Sequence, residues 1–184
     1  MTPFTILTGP VAVLDRKNVD TDQILPARFL RKPRSAGYQT FLFHDLRAND
    51  PAFPARPGTA ILIAGENFGC GSSREGAVYA LVDAGIRCVI APSFGDIFAG
   101  NAGKNGLLAL ALPDIGAPSG AMTVDLPAQT LHMPDGTARS FDIDPFRKRC
   151  LVEGLDDIGL TLQHAADLAA FEQRDRTSRA WVLP

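Results

Sequence analysis

Gly69-Cys70-Gly71-Ser72-Ser73-Arg74-Glu75 sets two hydroxyls, a guanidinium and a carboxylate directly after a glycine-rich turn. The helical spacing of Ala77, Val78, Leu81 and Val82 follows, so this turn opens a helix. A helix N-terminus presents free backbone N–H groups and a positive field, which favour an anion. Arg74 runs against the usual preference for acidic residues at that end. A cation placed there points to a negative ligand, and two hydroxyls beside a guanidinium suit a carboxylate. A purely structural role is also available, because Ser72 and Glu75 have the S-x-x-E spacing of a capping box.

Other motifs fail on inspection. The run from Gly69 begins like G-x-G-x-x-G but ends in Arg74, which excludes a dinucleotide fingerprint. Gly103-Lys104-Asn105 lacks the hydroxyl residue of a P-loop, and Phe98 stands where its first glycine belongs. Gly69 to Ser73 is not a nucleophile elbow. Asn18, Asp20 and Asp22 alternate as in a calcium loop, but Gln23 and Phe29 occupy its glycine and bidentate-glutamate positions. Asp22 by itself reads as part of an Asx turn.

The elements that must hold this turn follow from hydropathy. Phe4 to Leu14 reads as a strand or bent pair of strands broken at Gly9-Pro10. Asn49 to Gly58 contains three prolines and reads as a surface connection. Thr59–Ala64, Cys88–Ala91 and Leu107–Leu112 are short apolar strands, with a helix after Ser72 and a short one over Phe94–Phe98. That alternation implies an α/β sheet with crossover helices. Met122–Leu126, Thr130–Met133 and Arg139–Asp142 are further strands, with a turn at Pro134–Thr137. Asp144-Pro145 opens a helix that Gly154 closes, and a last helix spans His164 to Arg174 with Leu168, Ala169 and Phe171 as its apolar side.

Composition bounds the function. A chain of 184 residues, 46% apolar, suits one domain with a sizeable core. Lys+Arg 18 against Asp+Glu 20 gives a net charge of −2, which argues against a nucleic-acid partner. No apolar run approaches the ~20 residues of a membrane span and no secretory leader is visible, so neither a membrane nor export is expected and the cytoplasm is. Cys70, Cys88 and Cys150 are widely spaced and form no C-x-x-C pair, and His44, His132 and His164 form no local ligand pair. No metal site is expected on this chain.

Five blocks in order carry a resemblance. Asn18-Val19-Asp20-Thr21-Asp22-Gln23-Ile24, Gly65–Glu75, Ile90-Ala91-Pro92-Ser93-Phe94, Lys104-Asn105-Gly106-Leu107-Leu108 and Gly154–Leu162 resemble the small-subunit family of 3-isopropylmalate dehydratases, over about Phe4 to Glu172. The resemblance implies a layered β/β/α swivelling fold like the aconitase C-terminal domain, occupying residues 1–184 as a single domain. It implies a hydro-lyase of leucine biosynthesis that isomerises 2- and 3-isopropylmalate by dehydration and rehydration. It also implies a large-subunit partner that holds a [4Fe–4S] cluster, with no cofactor on this chain. Ser72 is then the catalytic base, Asp22 orients it or relays its proton, and Ser73 and Arg74 bind a substrate carboxylate. The segment after Ile24-Leu25-Pro26 lies near the substrate's variable group, so Arg31 becomes a substrate-binding candidate that would favour an additional carboxylate. The cluster Arg28, Arg31, Lys32 and Arg34 is otherwise a solvated patch.

The chain departs from the family where Ser-Ser-Arg-Glu usually continues His-Ala-Pro; it has Gly76-Ala77-Val78. Glycine in a helix costs about 0.5–1 kcal/mol relative to alanine. Gly76, with Ala99 and Gly103, is expected to open space near the site. A related hydroxy-diacid or tricarboxylate dehydratase subunit, or a non-catalytic domain keeping the fold, are the alternatives.

Overall fold

The structure is a computed structural model that describes residues 1–181. Among them, seven strands form one sheet in the order β4-β3-β2-β1-β5-β6-β7. The strands are β1 Ile6–Leu14, β2 Ile61–Ala64, β3 Cys88–Ala91, β4 Leu108–Ala111, β5 Ala121–Asp125, β6 Thr130–His132 and β7 Ala138–Ser140. The bent-strand expectation resolves as one long β1 that changes neighbours at its Gly9-Pro10 step. Ile6–Pro10 pairs antiparallel with β5, and Val11–Leu14 pairs parallel with β2.

That pivot divides the sheet into a parallel half, β1 to β4, and an antiparallel half, β5 to β7. Alternation along the parallel strands then makes two cores. Leu62, Ala64, Val89 and Ala91 pack with Ala77, Val78 and Leu81 of α3 (Glu75–Asp83) and with Phe98 and Ala102 of α4 (Asp96–Lys104). Ile61, Ile63, Cys88, Ile90, Leu108 and Leu110 face the other way, onto Met122, Val124 and Leu131 of the antiparallel half. Helices, parallel sheet and curled antiparallel sheet are therefore the three layers expected, β/β/α. Strands buried on both faces read as continuous apolar runs, which is why β2 and β3 were legible.

The remaining helices are α1 Thr21–Ile24, α2 His44–Asn49, α5 Pro145–Glu153, α6 Asp157–Leu162 and α7 Ala165–Ser178. α5 starts and stops as its sequence dictates: Asp144 accepts from the Arg147 N–H at 2.9 Å, and Gly154 ends it at φ 71°. Three expectations need correction. The helix placed at Phe94–Phe98 runs from Asp96 to Lys104, because Phe94 and Gly95 are engaged with the loop of Phe68. The proline-rich connection is not purely surface: it buries Phe53 and Ala55, with Phe53 against Phe43 at a ring separation of 5.2 Å. The apolar side of α7 is not covered, and Leu168 and Phe171 are exposed.

The cysteines differ in access. Cys88 is fully buried and Cys150 is buried, and burial pushes both thiols above their usual range, whereas Cys70 is partly exposed. Alkylation of the native protein with iodoacetamide near pH 8, read by mass spectrometry, is expected to modify Cys70 first and Cys88 only after unfolding.

Candidate functional site

Three loops leave the carboxyl ends of β1, β2 and β3, the end of an α/β sheet where ligands usually bind. They are laced together by backbone hydrogen bonds. Gly65 N donates to Arg16 O at 3.1 Å, Asn18 N to Glu66 O at 2.9 Å, Gly69 N to Val19 O at 2.7 Å and Thr21 N to Cys70 O at 3.0 Å. From the third loop, Ser93 O accepts from Phe68 N at 3.1 Å and Ser93 Oγ from Asn67 N at 2.8 Å. Asn67 Nδ2 also donates to Asn18 Oδ1 at 2.8 Å. Three of the five blocks that carry the resemblance span these loops, and within them Asn18, Asn67 and Ser93 add side-chain bonds to the main-chain lacing.

Gly69 shows how tight this is. It has φ +74°, and a Cβ there would lie 2.2 Å from Phe98 Cγ, which is itself buried. Gly69→Ala combines a left-handed backbone with overpacking against a core ring, and is expected to destabilise the fold by roughly 2–4 kcal/mol in a urea titration.

The lacing presents Ser72, Ser73 and Arg74 just before α3. The capping expectation for Ser72 fails: Arg74 is the N-cap residue of α3, and no side chain caps that helix. Ser72 instead forms a tight turn, its carbonyl accepting from Arg74 N at 2.9 Å and from Thr21 Oγ1 at 3.3 Å. Among the described residues, neither the Ser72 nor the Ser73 hydroxyl has a hydrogen-bond partner, and both serines are exposed. The failure of the structural role leaves two free hydroxyls at an uncapped helix N-terminus.

Arg74 already has a negative neighbour in this chain. Its Nη1 donates to Asp22 Oδ1, which also accepts from Ala27 N at 3.0 Å. Asp22 projects from α1, whose own start is a capping box: Asp20 accepts from Gln23 N at 2.7 Å, and Asp20 N donates to Gln23 Oε1 at 3.0 Å. The cap is therefore Asp20, which frees Asp22 for Arg74. No hydrogen bond joins Asp22 to Ser72 among the described residues, so any orienting influence of Asp22 passes through Arg74.

The hydrogen bond from Arg74 holds the Asp22 carboxyl below the usual carboxylate range; burial opposes it, and the hydrogen bond from Ala27 adds to the lowering. A depressed folded-state pKa gives a contribution that is present above the ordinary carboxylate pKa and lost as pH falls through the folded value. The Asp22–Arg74 pair is thus expected to persist at neutral and mildly acidic pH and to break only in stronger acid. A 13C NMR titration of the Asp22 carboxyl checks this; a midpoint at or above the ordinary aspartate value contradicts it.

The basic cluster does not act as one. Arg28 is paired with Asp45. Arg34 Nε holds Asp83 at 3.0 and 3.2 Å, with its guanidinium 4.3 Å from the Tyr79 ring centroid. Lys32 lies 4.9 Å from the Phe41 ring centroid. Arg31 is exposed, and among the described residues it has no acidic partner, so it is the cluster's guanidinium available to a ligand.

Gly76 does not open space. A Cβ there would meet Leu30 Cδ2 at 2.6 Å, Leu25 Cδ2 at 3.1 Å and Tyr38 Cε2 at 3.6 Å. The side chains of the turn before it fill the position. A Cβ at Gly103 would lie 3.9 Å from Arg147 and one at Gly100 would meet nothing within 4 Å, so the α4 surface has room, beside a groove of about 220 Å³.

A cavity of about 470 Å³ lies elsewhere, between α2 and the proline-rich connection. Ser72, Ser73 and Arg31 are exposed instead. The three cysteines are not brought together, and among the described residues no group of three His, Cys, Asp or Glu side chains could hold a metal ion. An iron–sulfur cluster does not fit the described residues. Sequence reasoning missed Thr21, buried and tied to the Ser72 carbonyl, and the Leu30–Gly76 contact. The Asp20-x-x-Gln23 spacing was a capping-box signal for α1.

Comparison with known proteins agrees with this layout. Residues 48–115 match the aconitase C-terminal domain family, 116–145 the LeuD_N family, and 157–184 the family of the C-terminal domain of the 3-isopropylmalate dehydratase small subunit. The 3-isopropylmalate dehydratase small subunit of Rhodospirillum centenum is 50% identical, covering 100% of both chains, and that of Roseobacter denitrificans is 49% identical over 99% of this chain and 100% of its own. The crystal structure of 3-isopropylmalate dehydratase (leuD) from Methanocaldococcus jannaschii superposes with a TM-score of 0.74 at 28% identity, covering 90% of this chain and 98% of that one. Full-length identity of this order, on a fold whose site loops coincide with the resembling blocks, places the chain in the 3-isopropylmalate dehydratase small-subunit family.

Proposed function

We propose that this chain is the proton-transfer and carboxylate-binding half of 3-isopropylmalate dehydratase, a hydro-lyase of leucine biosynthesis that a large subunit makes whole in the cytoplasm. The observation that carries the reading is the pair of unpartnered hydroxyls, Ser72 and Ser73, beside Arg74 at the uncapped start of α3. Family membership supplies the reaction class. The [4Fe–4S] cluster belongs in this reading to the large subunit.

The chemistry assigned to this chain follows from its own groups. Arg74 binds a substrate carboxylate with the N–H bonds that Asp22 leaves free, and Ser73 adds a hydroxyl donor. The carbon next to that carboxylate carries the hydrogen to be removed. Ser72, as its alkoxide, takes that proton and becomes a neutral hydroxyl, while the C–H electron pair moves toward the carboxylate and raises its negative charge. Arg74 and the α3 N-terminus stabilise that charge where it develops. Loss of hydroxide from the neighbouring carbon on the large-subunit side leaves the alkene diacid. Rehydration reverses these steps at exchanged carbons, with Ser72 returning the proton. A serine alkoxide is costly in water, and the same positive groups lower its cost once a second subunit excludes solvent.

A second reading rests on Arg31. A guanidinium without an acidic partner among the described residues, on the segment that the family resemblance puts near the substrate's variable group, would suit a third carboxylate, and so a tricarboxylate or longer hydroxy-diacid. One experiment separates the readings: co-expression with a cluster-bearing large subunit, followed by anaerobic hydration assays over a panel of alkene di- and tricarboxylates. Co-purification with turnover of the isopropyl diacid is expected. Preference for a tricarboxylate favours the second reading, and no complex with no turnover of any substrate refutes both.

A further inference from the structure

Thr21 makes two bonds to the turn that carries the serines. Its backbone N–H donates to Cys70 O at 3.0 Å, and its hydroxyl donates to Ser72 O at 3.3 Å. Between those two carbonyls lies Gly71 at φ +93°, where a Cβ would be 3.8 Å from Thr21 Oγ1. Gly69, two residues earlier, is also left-handed at φ +74°. Glycines give a chain more backbone states than other residues do, so this turn needs a tie from outside itself. Among the described residues, the Thr21 hydroxyl makes the one hydrogen bond that reaches Ser72 from another element. The other bond to that carbonyl comes from Arg74 N, within the same turn.

Thr21 is rigidly mounted. It opens α1, whose start is closed by the Asp20–Gln23 capping box and whose last residue, Ile24, is fully buried. Leu25 N bonds back to Thr21 O at 3.0 Å. Thr21 itself is 2% exposed. A buried hydroxyl requires a partner, and a branched Cβ limits the directions in which it can point. The partner it has is the carbonyl of the residue assigned the proton.

We propose that Thr21 is a positioning residue: its buried hydroxyl fixes the backbone of Ser72 and so holds the serine in place for proton transfer. The inference rests on the reading of Ser72 as the base. The Ser72 hydroxyl has no partner among the described residues, so its place is set by its backbone and one side-chain rotation. A displacement of about 1 Å at a reacting group can cost about 10² in rate. Carboxylate binding is held by other contacts, since Arg74 is fixed by Asp22, and Asp22 by Ala27 N.

The test uses the complex with the large subunit and separates hydroxyl from methyl at position 21. Thr21→Val keeps the shape and loses the donor; it is expected to fold, to lower kcat about 10–50-fold and to leave KM within about twofold. Thr21→Ser keeps the donor and loses a buried methyl; it is expected to hold kcat within about threefold while Tm falls by about 2–4 °C. Activity then follows the hydroxyl and stability the methyl. In a Ser72→Ala background, Thr21→Val is expected to leave the residual turnover unchanged, because the group it positions is gone. The inference is overturned if Thr21→Val keeps wild-type kcat, fails to fold or assemble, or slows Ser72→Ala further. It is also overturned if Thr21→Ser loses as much activity as Thr21→Val. A wild-type complex without turnover, or undiminished turnover in Ser72→Ala, instead removes the functional reading of this chain and this inference with it.

Discussion

Ser72→Ala is expected to lower kcat of the assembled enzyme by about 10²–10⁴, the usual weight of a positioned proton-transfer group. Fold and assembly should be unchanged. The residue is exposed, its hydroxyl has no partner among the described residues, and the turn it makes uses its backbone carbonyl, which alanine retains. The loss should fall on kcat, because no ground-state contact of the hydroxyl is needed to hold the diacid. Ser73→Ala removes a neighbouring hydroxyl of the same exposure, and should act mainly on KM. Steady-state kinetics of the two variants, alongside their thermal unfolding, distinguish base from binder. Equal effects of both serines on kcat would remove the distinction drawn between them.

Arg74→Ala should lower kcat/KM by about 10²–10³, comparable with removing one preorganised donor to a developing anion. Two losses combine. The substrate carboxylate loses its guanidinium, and Asp22 loses the partner that keeps its charge neutralised, leaving a carboxylate to repel a substrate that is itself a dianion. Arg74→Lys should recover only part of the activity, because an ammonium cannot serve Asp22 and a planar carboxylate together as a guanidinium does. Asp22→Asn tests the coupling. It keeps an oxygen acceptor for Ala27 N but not the charge that fixes Arg74, so its effect should be smaller than that of Arg74→Ala and should appear in KM. Wild-type kinetics for Arg74→Lys would contradict the bidentate role.

The parts of this fold legible beforehand were those set by local chemistry. β2 and β3 were plain because burial on both faces leaves no polar position, and α5 because Asp144, Pro145 and Gly154 each act on their own neighbours. The start of α3 was misread because the Ser72 carbonyl is claimed by Thr21, a residue 51 positions away, so a local capping pattern lost to a tertiary contact. The bare apolar side of α7 was also hidden, since an apolar stripe does not say whether a partner exists. In the site, Ser72, Ser73 and Arg74 stood out by type and spacing. The Asp22–Arg74 pair and the Leu30–Gly76 contact could not, because each joins segments more than forty residues apart and depends on the lacing of three loops.

The central claim is that this chain handles the proton. Its most direct measurement is single-turnover hydration of the alkene diacid in D2O by the reconstituted, anaerobic two-subunit enzyme, followed by NMR at the carbon that gains hydrogen. The wild-type complex is expected to deliver one deuterium at that carbon, and the assembled Ser72→Ala complex none over the same interval. Deuterium delivered at the same rate by both complexes would contradict the account.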